Sequence, residues 1–201
     1  MSTLVTKQLC NKYAEYATKV LYSELTKTSP PPPPSPLSLS SGQDQDHHPL
    51  KCPLFVTWNK NGNLRGCIGT FAPQRLPDGV RKYALIAALD DPRFPPITKD
   101  ELPHLECHVT LLHSFEDITS SPLDWQVGVH GIHISFSKRG RHYSATFLPQ
   151  VAPEQGWTKE ETMDQLLAKA GYPGSWHAVV NDLQQLNVER YRGEIGHFSS
   201  L

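Results

Sequence analysis

At 201 residues the chain is long enough for one well-packed domain and short for two independent ones. Nineteen Lys and Arg against 20 Asp and Glu leave no overall basic field of the kind that drives phosphate-backbone binding, so a general nucleic-acid binder is disfavoured. The N-terminal residues lack the apolar core of a signal peptide, and no stretch approaches the ~20 apolar residues that span a bilayer.

Cys10, Cys52, Cys67 and Cys107 are widely spaced with no Cys-x-x-Cys pair, which fits free thiols in a reducing compartment. The expectation is therefore a cytoplasmic protein, also small enough for the nucleus, with no membrane association.

In chain order, residues 4–26 predict the clearest helix. Leu9, Tyr13, Tyr16, Ala17, Val20 and Leu21 recur at spacings of three, four and seven, opposite Lys7, Asn11, Glu15 and Lys19. The composition then changes to Ser29-Pro30-Pro31-Pro32-Pro33-Pro34-Ser35-Pro36, a Ser-rich stretch and Gln43 to His48. Residues 28–50 read first as a disordered insert tolerated in a surface loop, with the proline run as a docking element for a protein partner of the SH3 or WW kind as the less favoured alternative.

Residues 54–58 and 64–71 predict two strands joined by a turn containing Asn61-Gly62, a strong hairpin signal. A helix over about 76–89 follows, with Pro77 near its start, and Asp90-Asp91-Pro92-Arg93-Phe94-Pro95-Pro96 stops it. Residues 105–114 alternate as a strand. Residues 131–136 and 142–148 predict a second hairpin, with Lys138-Arg139-Gly140-Arg141-His142 as a solvated basic tip. A helix over about 159–170 ends at Gly171 and Pro173, and a closing strand lies around 186–192. Strands paired locally, with helices between them, predict mainly antiparallel sheets and an α+β fold.

Arg65-Gly66-Cys67-Ile68-Gly69-Thr70 is the segment most suggestive of chemistry. Two glycines weaken a strand interior unless something approaches its backbone closely. Small neighbours would leave the Cys67 thiol reachable, and Arg65 is close enough in sequence to activate it. The competing reading is a buried structural cysteine with glycines forming a bulge. Arg93 either reads a carboxylate or phosphate from a rigid wall or pairs with Asp90 or Asp91 beside a buried Phe94.

The hexapeptide resembles the signature of the AMMECR-type domain family. Three further blocks agree in order: Asp91 to Ile97 with Glu101-Leu102, then Trp125 to Ile132, then Leu148 to Ala152 with Glu154, Trp157 and Lys169-Ala170-Gly171. The resemblance implies a single two-lobed α+β domain over 1–201, with a cleft between the lobes and the cysteine motif near it. Some prokaryotic members are fused to or encoded beside a Memo-like domain and a radical SAM protein, which implies a role in modifying RNA or another macromolecule.

On that resemblance Cys67, His130 and Glu154 become the candidate catalytic set: nucleophile, base and orienting carboxylate. Glu154 is expected just before a helix start. Arg65, Gly66, Gly69 and Arg93 are the candidate substrate-binding residues.

The predicted function is a cysteine-dependent enzyme or accessory factor, with a non-catalytic adaptor for a peptide, nucleotide or protein partner as the alternative. Either way the ligand, small or macromolecular, would lie in the cleft. An RNA-binding accessory role stays open and would need clustered Arg and Lys on one face with exposed aromatics such as Trp125 or Trp157.

No cofactor is predicted, because neither G-x-x-x-x-G-K nor G-x-G-x-x-G occurs in a suitable setting. No metal is predicted either. His104, Cys107 and His108 form an H-x-x-C-H string, but on a strand Cys107 and His108 point to opposite faces, and His130 with His133 lack further ligands.

Overall fold

The computed structural model describes residues 5–34, 50–182 and 184–199. They form two compact units, the first within Met1–Leu112 and Glu194–Leu201, the second His113–Gly193.

In the first unit, α1 (Lys7–Thr26) starts where Thr6 turns its hydroxyl back to accept the Leu9 N–H at 3.2 Å, a cap worth about 1 kcal/mol. It stops at Lys27, whose left-handed backbone (φ 56°) sends its N–H to the Ser23 carbonyl. Leu9, Cys10, Tyr13, Ala14, Ala17, Val20 and Leu21 make its buried stripe.

Strands β1 (Lys51–Lys60) and β2 (Asn63–Arg75) form the predicted antiparallel hairpin. Asn61 and Gly62 supply the two positive φ angles, 50° and 79°, that match the turn to strand twist. β3 (Leu105–Asp117) pairs antiparallel with the other side of β1, placing Val109 opposite Val56 and Cys107 opposite Trp58. β2 is thus an edge strand. It runs to Arg75, farther than the alternation suggested, and continues without a loop into α2 (Leu76–Leu89). The fully buried Trp58 donates its indole N–H to the Ala84 carbonyl at 3.0 Å, tying β1 to α2.

Thr28–Pro34 has no regular structure, and Pro32 and Pro34 lie beside Lys12, Glu15, Tyr16 and Lys19 of α1. The remainder of the predicted insert, 35–49, lies outside the described residues.

In the second unit, β4 (Gly131–Lys138) and β5 (Arg141–Phe147) form the other predicted hairpin, turning on Arg139 (φ 51°) and Gly140 (φ 75°). β6 (Gln184–Ser199) pairs antiparallel with β4 and is far longer than the 186–192 expected, because its last residues belong to the first unit. There Gly196 lies so close to α1 that a Cβ would fall 2.1 Å from the Asn11 nitrogen.

Among the described residues the second unit also carries the α-helices α3 (Val151–Gln155), α4 (Lys159–Lys169) and α5 (Trp176–Val179). A reciprocal capping box between Thr158 and Glu161 fixes the start of α4. Ile132, Ile134 and Phe136 of β4 pack with Val188, Met163, Leu166, Leu167 and Trp125 into its core.

Helix and strand in near-equal shares, 35% and 38%, with every described pairing antiparallel, make the fold α+β as predicted. No helix among the described residues is long and apolar enough to cross a membrane.

Candidate functional site

Cys67 sits on β2 opposite Thr57 of β1. Its backbone points away from β1: its N–H donates to Asp91 Oδ2 at 2.9 Å and its carbonyl accepts from Arg93 Nη2 at 3.0 Å. That makes Thr57–Cys67 a non-hydrogen-bonded pair, the type whose side chains approach most closely, and Thr57 Oγ1 donates to the sulfur at 3.1 Å. Cys67 is half-buried, whereas Cys10, Cys52 and Cys107 are buried. Burial pushes the Cys10 and Cys52 thiols up to about 12, and raises Cys107 further.

Asp91 is the anchor of this strand. Its side chain is only 2% exposed, yet it accepts from the Cys67 and Arg93 amides and from both Nε and Nη2 of Arg93. The Arg93 guanidinium, followed by the backbone donors, holds its carboxyl well below the usual carboxylate range. Arg93 thus pairs with Asp91, as one of its two readings expected. Phe94 is half-buried, with the guanidinium over its ring. The Arg93 side chain remains 53% exposed, and Nη1 has no partner among the described residues.

Arg65, expected both to activate Cys67 and to bind substrate, is fully engaged elsewhere. Its Nε and Nη2 take the two oxygens of Glu101 at 2.9 and 3.0 Å. Its Nη1 and Nη2 also donate to the carbonyls of Pro95 and Pro96. Arg65 and Glu101 are each 13% exposed, and Lys60 and the Thr98 amide add further donors to Glu101. The Arg65 pair first, then these donors, pulls the Glu101 carboxyl down to about 2. This knot fastens the 95–101 segment to β2.

The glycines of the motif also answer to packing. A Cβ on Gly66 would lie 2.0 Å from the Ala87 carbonyl of α2, and one on Gly69 would meet the Phe55 ring at 2.3 Å and the Leu54 carbonyl at 2.4 Å. The Cβ sides of both glycines are filled by the protein itself.

His130 and Glu154 belong to the second unit. His130 closes the turn after Trp125: its amide donates to the Gln126 carbonyl, and the Gln126 amide donates to His130 Nδ1 at 3.0 Å. A ring nitrogen that accepts from an amide is unprotonated, so the neutral ring carries its proton on Nε2 and offers a donor there. Burial, then the charges of Arg190 and Arg192, lowers its pKa. Glu154 lies inside the first turn of the short α3 rather than ahead of a helix, is exposed, and makes no side-chain hydrogen bond among the described residues. The carboxylate that caps a helix start here is Glu161.

Among the described residues no group of three or more His, Cys, Asp or Glu is arranged to hold a metal ion. Cys107 is fully buried, while His108, half-buried, pairs with Glu106 at 3.3 Å.

The AMMECR1 family model matches residues 14–196. The chain belongs to the AMMECR1 family. Its relatives within reach include an uncharacterised protein of Arabidopsis thaliana, 47% identical over 71% of this chain and 69% of that protein. An uncharacterised protein of Saccharomyces cerevisiae is 42% identical over 72% of this chain and 67% of its own length. The crystal structure of an uncharacterised protein from Pyrococcus horikoshii superposes with a TM-score of 0.72 at 28% identity, covering 98% of this chain and 95% of that one. None of these names carries an activity, so within the AMMECR1 family the choice between enzyme and adaptor falls to the geometry of the site.

Sequence reasoning also left one constellation of the second unit unassembled: His133, Ser144 and Glu189. Of these only His133 drew attention, as half of a poor metal pair. The signal was the register of three strands, which spacing along the chain does not contain.

Proposed function

We propose that the surface built from Arg65–Thr70 and the Asp91–Ile97 segment is a recognition site for an anionic group, carboxylate or phosphate, and that the chain acts there as a non-catalytic adaptor for a peptide, nucleotide or protein partner. The observation that carries this reading is the state of Arg93. Its Nε and Nη2 are fixed by a buried carboxylate and a backbone carbonyl, while its exposed Nη1 edge has no partner among the described residues. A guanidinium held in one orientation loses little freedom on meeting an oxyanion.

The test is a titration with inorganic phosphate and with a short acidic peptide, followed by NMR at the Arg93 Nε–H and the Cys67 amide. Saturable shifts at both, lost in Arg93→Gln, are expected. An unmoved Arg93 signal at tens of millimolar ligand would sink the reading.

A second reading keeps Cys67 as the reacting thiol of an enzyme or accessory factor that modifies RNA or protein, with His130 and Glu154 in support. It is favoured by Cys67 being the one cysteine of the four that is not buried. Against it, the carboxylate that meets the Cys67 amide, that of Asp91, is committed to Arg93. Alkylation by iodoacetamide across pH in wild type and His130→Ala separates the two. A low apparent thiol pKa that rises in the variant supports the enzyme, and identical curves leave the adaptor. Both readings fit a protein of the cytoplasm or nucleus, and the proline run would offer a second docking element.

A further inference from the structure

The outer face of the β6–β4–β5 sheet carries a cluster that neither reading uses. His133 Nε2 lies 2.9 Å from Ser144 Oγ, and His133 Nδ1 lies 3.2 Å from Glu189 Oε2. Hydroxyl, imidazole and carboxylate are therefore in line, with the imidazole in the middle. Strand register produces this. His133 stands directly opposite Glu189 on β6 and opposite Thr146 on β5, and Ser144 is two residues from Thr146, so all three side chains leave the same face. The opposite face, through Ile132, Ile134, Phe136, Ala145 and Val188, is buried in the core, which fixes the register and with it the alignment.

The floor beside the cluster is rigid. The buried Tyr191 hydroxyl meets Thr146 Oγ1 at 2.8 Å and the Phe147 carbonyl at 2.9 Å, and the ring presses on Gly131, where a Cβ would come within 2.3 Å.

We propose that Ser144, His133 and Glu189 form an acyl-transfer centre acting on carboxylic esters. Ser144 is exposed, so an acyl carbon can reach its oxygen. Its backbone supplies a second element. The two-residue turn at Arg139-Gly140 makes Lys138–Arg141 a hydrogen-bonded pair, and alternation makes Ser135–Ser144 a non-hydrogen-bonded one. On the edge strand β5 the Ser144 N–H then points outward, away from β4. The neighbouring outward carbonyl, that of Thr146, is taken by Lys169 Nζ at 2.8 Å, as that orientation requires. The nucleophile's own outward amide is a donor for the oxyanion of a tetrahedral intermediate.

In the reaction, Ser144 Oγ bonds to the ester carbon while His133 Nε2 takes the hydroxyl proton. The intermediate expels the alcohol, which receives that proton, leaving an acyl-serine. Water then attacks the acyl-serine with His133 again as base, releasing the acid and restoring the hydroxyl. Glu189 is a positioning residue: it holds the Nδ1 proton, and so makes Nε2 the nitrogen that accepts from Ser144.

The inference shares no residue with the anion-recognition surface and stands or falls separately. The experiment treats the full chain with a fluorophosphonate and maps the adduct by mass spectrometry. One adduct on Ser144 is expected, absent in Ser144→Ala. It should form at least about 100-fold more slowly in His133→Gln. In Glu189→Gln the saturating labelling rate should fall by about tenfold or more while the half-saturating concentration stays put, a split that a general loosening would not give. Circular dichroism verifies that each variant is folded, with His133→Asn as the substitute should His133→Gln not be. A folded wild type that takes no label, an adduct elsewhere, or a His133 variant labelled at the wild-type rate overturns the proposal.

Discussion

The two units arrange their polar residues in opposite ways. In the first, the conspicuous Arg65–Thr70 motif is held by bonds that mostly end on backbone: Asp91 on the Cys67 amide, Arg93 on the Cys67 carbonyl, Arg65 on the carbonyls of Pro95 and Pro96. In the second, the His133 ring meets the side chains of Ser144 and Glu189 on a partly exposed face. Bonds that end on backbone fix a shape, whereas side-chain contacts on an open face can be exchanged for contacts with a substrate. Much of an arresting sequence motif is thus taken up by bonds that shape the backbone here, while a second polar arrangement is spread over three strands.

If that contrast is right, the largest effect should come from Gly66. Its missing Cβ faces a backbone carbonyl at 2.0 Å that cannot rotate away, so Gly66→Ala must part β2 from α2. A loss of about 3 kcal/mol is expected in urea unfolding. Ser144→Ala, which removes one exposed hydroxyl, should stay within about 0.5 kcal/mol of wild type. A mild Gly66→Ala would break the comparison at its base, because the motif would then not be structural.

The next effect is a pH dependence within the first unit. Glu101 titrates at about 2 in the fold against 4.5 as the ordinary value, so the unfolded chain binds its proton first as pH falls. Its stabilisation is therefore complete above about pH 4.5 and is lost on descending towards pH 2. Allowing for screening at its exposed edge, the share is roughly 2 kcal/mol. Unfolding curves at pH 6 and pH 2.5 should show Glu101→Gln less stable than wild type at the higher pH and nearly equal at the lower. A gap that persists at pH 2.5 would mean that the Arg65–Glu101 knot works by shape rather than charge.

How much of this was legible in the sequence follows from the range of each signal. The helices at 7–26 and 76–89 and both hairpins rest on local periodicity and on the turns at Asn61-Gly62 and Arg139-Gly140; the helices were read nearly to their ends, and the first hairpin's strands shorter than they are. The end of β6 was missed, because Gly193 and Gly196 dilute its alternation and its partner, α1, lies more than 180 residues earlier. Within the site, Cys67 could be singled out by its glycines, but the reason for the glycines could not. Ala87 and Phe55 fill the Cβ sides of Gly66 and Gly69. Arg65 looked like a partner for Cys67 at two residues' distance, and its real partner is Glu101, 36 residues away. Ser144 and Glu189 carried no local signal of any kind.

The thiols give a finer test. Iodoacetamide at neutral pH should modify Cys67 and leave Cys10, Cys52 and Cys107 untouched in the folded chain, since burial both hides those three and raises their pKa values. Equal modification of a second cysteine would show that the first unit opens more readily than its core implies.

The smallest effect concerns Thr57. Its hydroxyl donates to the Cys67 sulfur at 3.1 Å and so holds the sulfur in one orientation for reaction. Replacing it by valine keeps the branched shape a strand prefers and removes only the donor. Alkylation of Cys67 at fixed pH should then slow by a factor of about three, the kinetic equivalent of a bond worth about 0.6 kcal/mol. The direction matters more than the size. A slower Thr57→Val would mean that the strand pair prepares the thiol for reaction, which moves Cys67 towards the enzyme reading. A faster one would mean that Thr57 chiefly shields the sulfur, and the motif would remain a scaffold for Arg93.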